Sequence, residues 1–183
     1  EAKTQSWYGS MAFILKQIKG IQDLKNVSPH KFSNSYKKLL SQFYGEKWLI
    51  QMQKSCDGKL CSYGKFKCNF GFEPYLTLIR SEEHRKNFTR LRISAHRLRI
   101  EQGRYQGTPR QSRTCLRCSS DEVDDEMHFL FDCKFLANLR TEMLQTVNQN
   151  CPNFQQLHSS GKLIWLLNTE NVDILLKICE LIK

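Results

Sequence analysis

Four residues of metal-binding type fall close together: Cys115, Cys118, His128 and Cys133, spaced C-x2-C-x9-H-x4-C. Thiolate sulfur and imidazole nitrogen are donors that Zn²⁺ takes in a tetrahedron, and two cysteines with this spacing can grip the ion from a tight knuckle. His128 and Cys133 can supply the other half from a helical turn and its exit. Four protein donors leave no open position for a reactive water, so the expected Zn²⁺ is structural. It would close a small loop and fasten it to the elements beside it. Cys56, Cys61 and Cys68 have spacings that match no common ligand pair and read as thiols, while Cys151 and Cys179 are isolated and read as core.

A second kind of chemistry lies just upstream. Residues 80–113 hold ten basic side chains against three acids. Arg85, Lys86, Arg90, Arg92, Arg97, Arg99, Arg104, Arg110 and Arg113 are candidate nucleic-acid contacts. The planar arginine fork donates two parallel hydrogen bonds to a phosphate. Each neutralised phosphate also releases counterions, which makes such binding salt-dependent. The competing reading is a solvated face whose arginine stems cover apolar surface or pair with acids, the run at 121–126 being one available partner.

The elements that must position these groups read as mostly α. The expected architecture is a helical bundle with a small CCHC zinc-binding module and at most one short strand or hairpin. Residues 5–19 carry an apolar stripe at helical spacing, with Gly20 as a stop. Ser28-Pro29 opens a long amphipathic stretch that Gly45 is expected to divide. Residues 59–66 lack helical periodicity and are expected to be extended or irregular. Glu73-Pro74 opens a short helix through Ile79. Ser81-Glu82-Glu83 starts a helix expected to reach Gln102 and stop at Gly103, with Phe88, Leu91, Ala95 and Leu98 as its apolar stripe. Further helices are expected near Glu126 and Lys134 and over Val172–Ile182. The predicted division is an N-terminal helical segment (1–56), a short extended segment with the basic helix (57–112), the zinc module (113–140) and C-terminal helices (141–183).

Composition narrows the class. The chain has 183 residues, 40% of them hydrophobic, and a formal net charge of +10. That apolar share can support a core, and the charge favours polyanionic partners. No apolar run approaches the ~18 residues of a membrane span, so no membrane partner is expected. Without a secretory signal, the eight cysteines read as thiols or ligands in a reducing compartment, the cytoplasm and nucleus. Val123-Asp124-Asp125 has the look of a polymerase metal-binding pair, but its acidic flanks suit a solvated loop and a helix start near Glu126. No phosphate-binding glycine loop or nucleophile elbow is present, so the fragment itself is not expected to be an enzyme.

The residues carry a resemblance. The run from Arg92-Ile93-Ser94-Ala95-His96-Arg97 through Gly103-Arg104-Tyr105, then Thr108-Pro109-Arg110, Cys115-Leu116-Arg117-Cys118 and Glu126-Met127-His128-Phe129-Leu130-Phe131-Asp132-Cys133, resembles the C-terminal region of non-LTR retrotransposon reverse transcriptases. Gly71-Phe72-Glu73-Pro74-Tyr75 is similar too, and the likeness covers about residues 45–140. It implies a helical segment behind a polymerase, holding template RNA or target DNA during target-primed reverse transcription. It also implies the same zinc ligands and an upstream polymerase region of the same polypeptide as partner. The alternative expectation is a zinc-stabilised protein-interaction or domesticated scaffold module without nucleic-acid affinity.

Overall fold

A computed structural model describes residues 13, 15–18, 21, 28–54, 61–67 and 69–183; of residues 53, 54, 61 and 62 it describes the backbone. The chain divides into two compact units, Glu1–Lys54 and Ser55–Lys183. The described part is mostly helical, and no strand occurs among the described residues.

In the first unit, helix α1 spans Pro29–Lys54. Pro29 stands at its first position, where a missing N–H costs nothing. The Ser28 carbonyl accepts from Phe32 N at 2.8 Å. Gly45 does not divide the helix, contrary to expectation. A glycine inside an exposed helix costs only about 1 kcal/mol relative to alanine, and the backbone ladder runs through it. The stripe expected over 5–19 lies largely outside the described residues, although Phe13 and residues 15–17 are helical.

The second unit contains α2 (Cys61–Phe66), α3 (Tyr75–Leu78), α4 (Glu82–Arg92), α5 (Arg99–Tyr105), α6 (Ala137–Asn150), α7 (Ser159–Asn168) and α8 (Val172–Ile182). Its centre is α8, which packs against α6 and α4. Ile174, Leu175, Ile178 and Cys179 of α8 are wholly buried, each aliphatic side chain contributing about 1.5–3 kcal/mol relative to exposure. Asn171 caps α8, its side-chain oxygen accepting from Ile174 N at 3.1 Å. Residues 61–66, expected to be extended or irregular, are helical. Phe66 is buried, Tyr63 meets its ring edge-on at 5.5 Å, and Asn168 Nδ2 donates to the Phe66 carbonyl at 3.1 Å. Packing against α7 overrides the weak local preference.

The basic helix expected over 82–102 is two helices. Ser81 caps α4, its hydroxyl accepting from His84 N at 3.3 Å. The helix then ends at Arg92, and Ser94 adopts φ +51°. Ala95 N donates to Arg90 O at 2.7 Å and Ser94 N to Leu91 O at 3.3 Å. Those two bonds are the Schellman pattern, with serine where glycine is usual. The left-handed backbone costs roughly 1–2 kcal/mol. Ser94 Oγ recovers it by donating to buried Glu126 at 2.8 Å, since a hydrogen bond to a charged group contributes about 1.5–3 kcal/mol.

Gly103 is not a stop either; α5 runs through it to Tyr105. A Cβ there would lie 2.6 Å from Arg113 Cγ and 2.8 Å from its Cδ. Arg113 has little freedom to move away, because its Nε and Nη1 donate to the Thr108 and Ile100 carbonyls, each at 2.8 Å. Gly103→Ala is expected to lower stability by about 1–3 kcal/mol through overpacking. In an Arg113→Ala background the same change should cost almost nothing, so strictly additive losses in urea unfolding would disprove the clash.

Candidate metal centre and the basic segment wired to it

The sulfurs of Cys115, Cys118 and Cys133 and a ring nitrogen of His128 lie within 4.8 Å of one another. Cys115 Sγ and Cys133 Sγ are 4.0 Å apart, and Cys118 Sγ is 3.3 Å from His128 Nε2. A tetrahedron with Zn–S near 2.3 Å and Zn–N near 2.0 Å has edges of about 3.5–3.8 Å. The four donors are therefore close enough to hold a metal ion with only small adjustments.

Local backbone explains the second half of the site. Residues His128–Asp132 form a π-helical turn, and Cys133 N donates to His128 O at 2.7 Å. In an α-helix, residues five apart diverge by about 140°. The wider π turn brings them to one side, as such turns often do at functional sites. On the first half, Thr114 and Val123 form an antiparallel bridge, with Cys115 N donating to Glu122 O at 2.8 Å and Asp124 N to Arg113 O at 2.9 Å. This ribbon returns the chain from the knuckle to the histidine.

The surrounding groups act on the ligands in both directions: burial pushes the Cys133 thiol up, and for His128 the lowering effect of burial is outweighed by hydrogen bonds with Cys115 and Glu122 that raise it. His128 Nδ1 lies 2.7 Å from Glu122 Oε2. A proton shared with that carboxylate leaves Nε2 free for the metal, the usual outer partner of a ligating histidine. Hydrogen bonding from Ser120, 3.1 Å from Cys118 Sγ, is the main cause that holds the Cys118 thiol at about 6. Thiolate, the form a metal takes, then predominates near neutral pH. Glu122 and Ser120 were not singled out from the sequence; an acid in the x9 gap is the only signal for the first. Cys179 is buried and its thiol is pushed up to about 11, chiefly by burial, as suits an inert core position. Cys151 is half-buried, while Cys56, Cys68 and the Cys61 side chain lie outside the described residues.

The acidic run is solvated only in part, which corrects the sequence reading: Asp121 and Glu122 are exposed. Asp124 and Glu126 are buried. Asp124 Oδ2 accepts from Arg99 N at 2.9 Å, and its carbonyl accepts from Ile100 N at 3.1 Å, so the loop between the ligands caps α5. Asp124 also pairs with Arg117 of the knuckle, whose guanidinium lies over the Phe129 ring. Asp125 Oδ1 accepts from the backbone of Met127 and His128, each at 3.1 Å, while Oδ2 holds Arg110 at 2.8 Å. Glu126 Oε1 takes both Ser94 Oγ and His96 Nε2, at 2.8 and 3.0 Å. Burial pushes the Glu126 carboxyl up, but hydrogen bonds from His96 and Ser94 outweigh it and hold it at about 2.

The chain matches no family model, no curated protein and no solved structure.

The candidate phosphate-binding cations separate into two groups. Arg92 is only 2% exposed and pairs with Glu73 at 2.8 Å, enclosed by the Phe66, Tyr75 and Phe88 rings. A phosphate strand cannot reach it there, which corrects its place among the candidates. Arg113 is held under Gly103 by two carbonyls, and Arg85 by the Ile79 and Arg80 carbonyls at 2.7 and 2.8 Å. Arg104 pairs with Glu101 at 2.9 Å and lies over the Tyr105 ring; Arg110 pairs with Asp125. Lys86 pairs with Glu82 across one exposed helical turn, a contact that contributes little. Arg99 is half-buried, its Nε enclosed without a hydrogen-bond partner. Arg90 and Arg97 are exposed, and neither guanidinium makes a hydrogen bond or ion pair among the described residues.

Proposed function

We propose that this chain is a non-catalytic nucleic-acid-binding portion of a retroelement reverse transcriptase, in which Zn²⁺ sets the shape of a basic segment that holds template RNA or target DNA. One observation carries the reading. The loop between the metal ligands is bonded directly into the basic segment, through Asp124 to the start of α5 and through Glu126 to the bend after α4. Three thiolates and one imidazole are the donor set of structural zinc. A metal at that cluster therefore determines where the cations between Arg90 and Arg110 stand.

Charge supplies the rest of the argument. Residues 1–54 hold nine lysines and three acidic residues, and Lys31, Lys37 and Lys38 are exposed on α1. Each unit thus carries exposed cations of its own that suit a polyanion. A catalytic reading of Ser94, His96 and Glu126 has poor geometry. Serine and histidine both bond to the same carboxylate oxygen, so the histidine does not face the hydroxyl as the base of a nucleophile–base–orienter series. Exposed Leu116 and Phe135, 76% and 69% accessible beside the cluster, favour the second reading, a protein-interaction module.

Salt separates the two. With metal bound, affinity for single-stranded RNA is expected to fall about fifty-fold between about 50 and 200 mM salt for four phosphate contacts, at a slope of about 0.7 per contact. Fluorescence anisotropy with a labelled oligonucleotide measures it. No binding of RNA or duplex DNA at the lower salt, with one equivalent of zinc present, overturns the nucleic-acid reading and leaves the interaction module.

A further inference from the structure

The break after α4 creates a cleft that the sequence pattern hides. A cavity of about 490 Å³ opens between the end of α4, the bend and the end of α8, lined by Asn87, Arg90, Ala95, His96, Arg97, Ile182 and Lys183. On one continuous helix, residues 90 and 97 would lie almost two turns apart on an outer face. The reversal at Ser94 instead folds them onto the walls of one hollow. We infer that this cleft is a phosphate-binding site for the nucleic-acid backbone, with Arg90 and Arg97 as its paired grips and the Asn87 amide beside them.

The surroundings suit an anion. Both arginines lack internal partners among the described residues, unlike Arg92, Arg104 and Arg110. Asn87, one helical turn before Arg90, likewise has no side-chain hydrogen bond there. The end of a helix ordinarily repels anions through its free carbonyls. Here three of the last four carbonyls of α4 are occupied: Thr89 O accepts from Ile93 N, Arg90 O from Ala95 N and Leu91 O from Ser94 N. Glu126, the acid nearest the bend, is buried and has His96 between it and the hollow as the lining side chain. His96 Nδ1 accepts from Leu98 N at 3.3 Å, so the ring proton sits on Nε2 and turns toward Glu126. The cleft thus carries cationic and amide donors beside Ala95 and Ile182, with Glu126 held behind a histidine. An arginine fork donates two parallel hydrogen bonds to a phosphate, which a lysine ammonium does not.

This inference rests on the nucleic-acid reading and is tested apart from it. The zinc-loaded full chain is titrated with a labelled single-stranded RNA at several salt concentrations, alongside R90Q/R97Q and the charge-matched control K65Q/K162Q. Lys65 and Lys162 lie away from the cleft, on α2 and α7. The cleft variant is expected to bind at least about tenfold more weakly at low salt, since each lost bond involves a charged group. Its salt slope should fall by about 1.4, at about 0.7 per phosphate. The control should lose less than about threefold by the same measure. If the wild-type chain binds and the two variants lose affinity equally, the cleft is refuted while the broader reading stands. If the wild-type chain does not bind, both fall. Unchanged zinc content and circular dichroism in R90Q/R97Q show that a loss is not misfolding.

Discussion

Cys133→Ser is expected to cost the second unit the zinc proposed for its cluster and, with it, the arrangement of the whole basic segment. Cys133 is completely buried, and its sulfur lies 4.0 Å from Cys115 Sγ. Structural zinc sites contribute roughly 10–16 kcal/mol of apparent binding free energy. A typical domain has a stability margin of only about 5–15 kcal/mol. Loss of the bound metal therefore removes an amount comparable with everything holding the fold. Bound zinc should drop from about one equivalent to less than about a fifth, and the melting temperature by more than about 10 °C, at roughly 2–4 °C per kcal/mol for a domain of this size.

The damage should also travel along a defined route. Asp124 caps α5 only while the loop between the ligands is held, so the Arg99 and Ile100 amides should lose hydrogen-exchange protection first. Chelation of the wild-type protein should reproduce that pattern. Cys151→Ser, at a half-buried thiol outside the cluster, should keep its zinc. A Cys133→Ser protein that melts within a degree or two of wild type would show that the clasp carries no folding energy.

The second large effect is expected at Arg92. Its guanidinium donates to Glu73 at 2.8 Å, with ring centroids of Phe66 and Tyr75 at 4.7 and 4.9 Å and of Phe88 at 5.9 Å. Burial lowers its proton affinity and Glu73 opposes that shift. Breaking such a buried pair from one side ordinarily costs about 3–5 kcal/mol. Arg92→Ala should fall at the lower end of this range, because Lys67 remains 2.8 Å from Glu73. Glu73→Ala should be at least as harmful, since it strands a guanidinium among aromatic rings, where the Arg92 Nε already has no hydrogen-bond partner. Arg92→Met, which keeps most of the volume against those rings without the charge, should recover about half of the alanine loss. Urea midpoints compare the three. An Arg92→Ala protein within about 1 kcal/mol of wild type would mean that the pair is incidental to stability.

Much of the helical content was legible because it depends on local periodicity and caps. Ser81 before Glu82-Glu83, Pro29 at a helix start and the apolar spacing of Val172–Ile182 each act within one or two turns. The ligand set was legible for a similar reason. Cysteine and histidine are uncommon enough that four within so short a span stand out, and coordination chemistry restricts what such a group can do.

The bend at Ser94 was not legible. Serine at a left-handed position offers no glycine signal, and the bond that stabilises it comes from Glu126, 32 residues away. The helicity of residues 61–66 likewise depends on burial against α7, and Gly103 marks the passage of Arg113, not an end. The arginines show the division most clearly. Their number and positions come from the chain alone, and so does the surplus of positive charge. Arg104 and Arg113 find Glu101 and the Thr108 carbonyl within a few residues, but that Arg92 is spent on Glu73 and Arg110 on Asp125, while others stay free at the cleft, depends on groups far away in sequence. Local pattern sets what each residue is able to do. Tertiary packing decides which partner reaches it first, because a buried charge must be paired and an exposed one need not be.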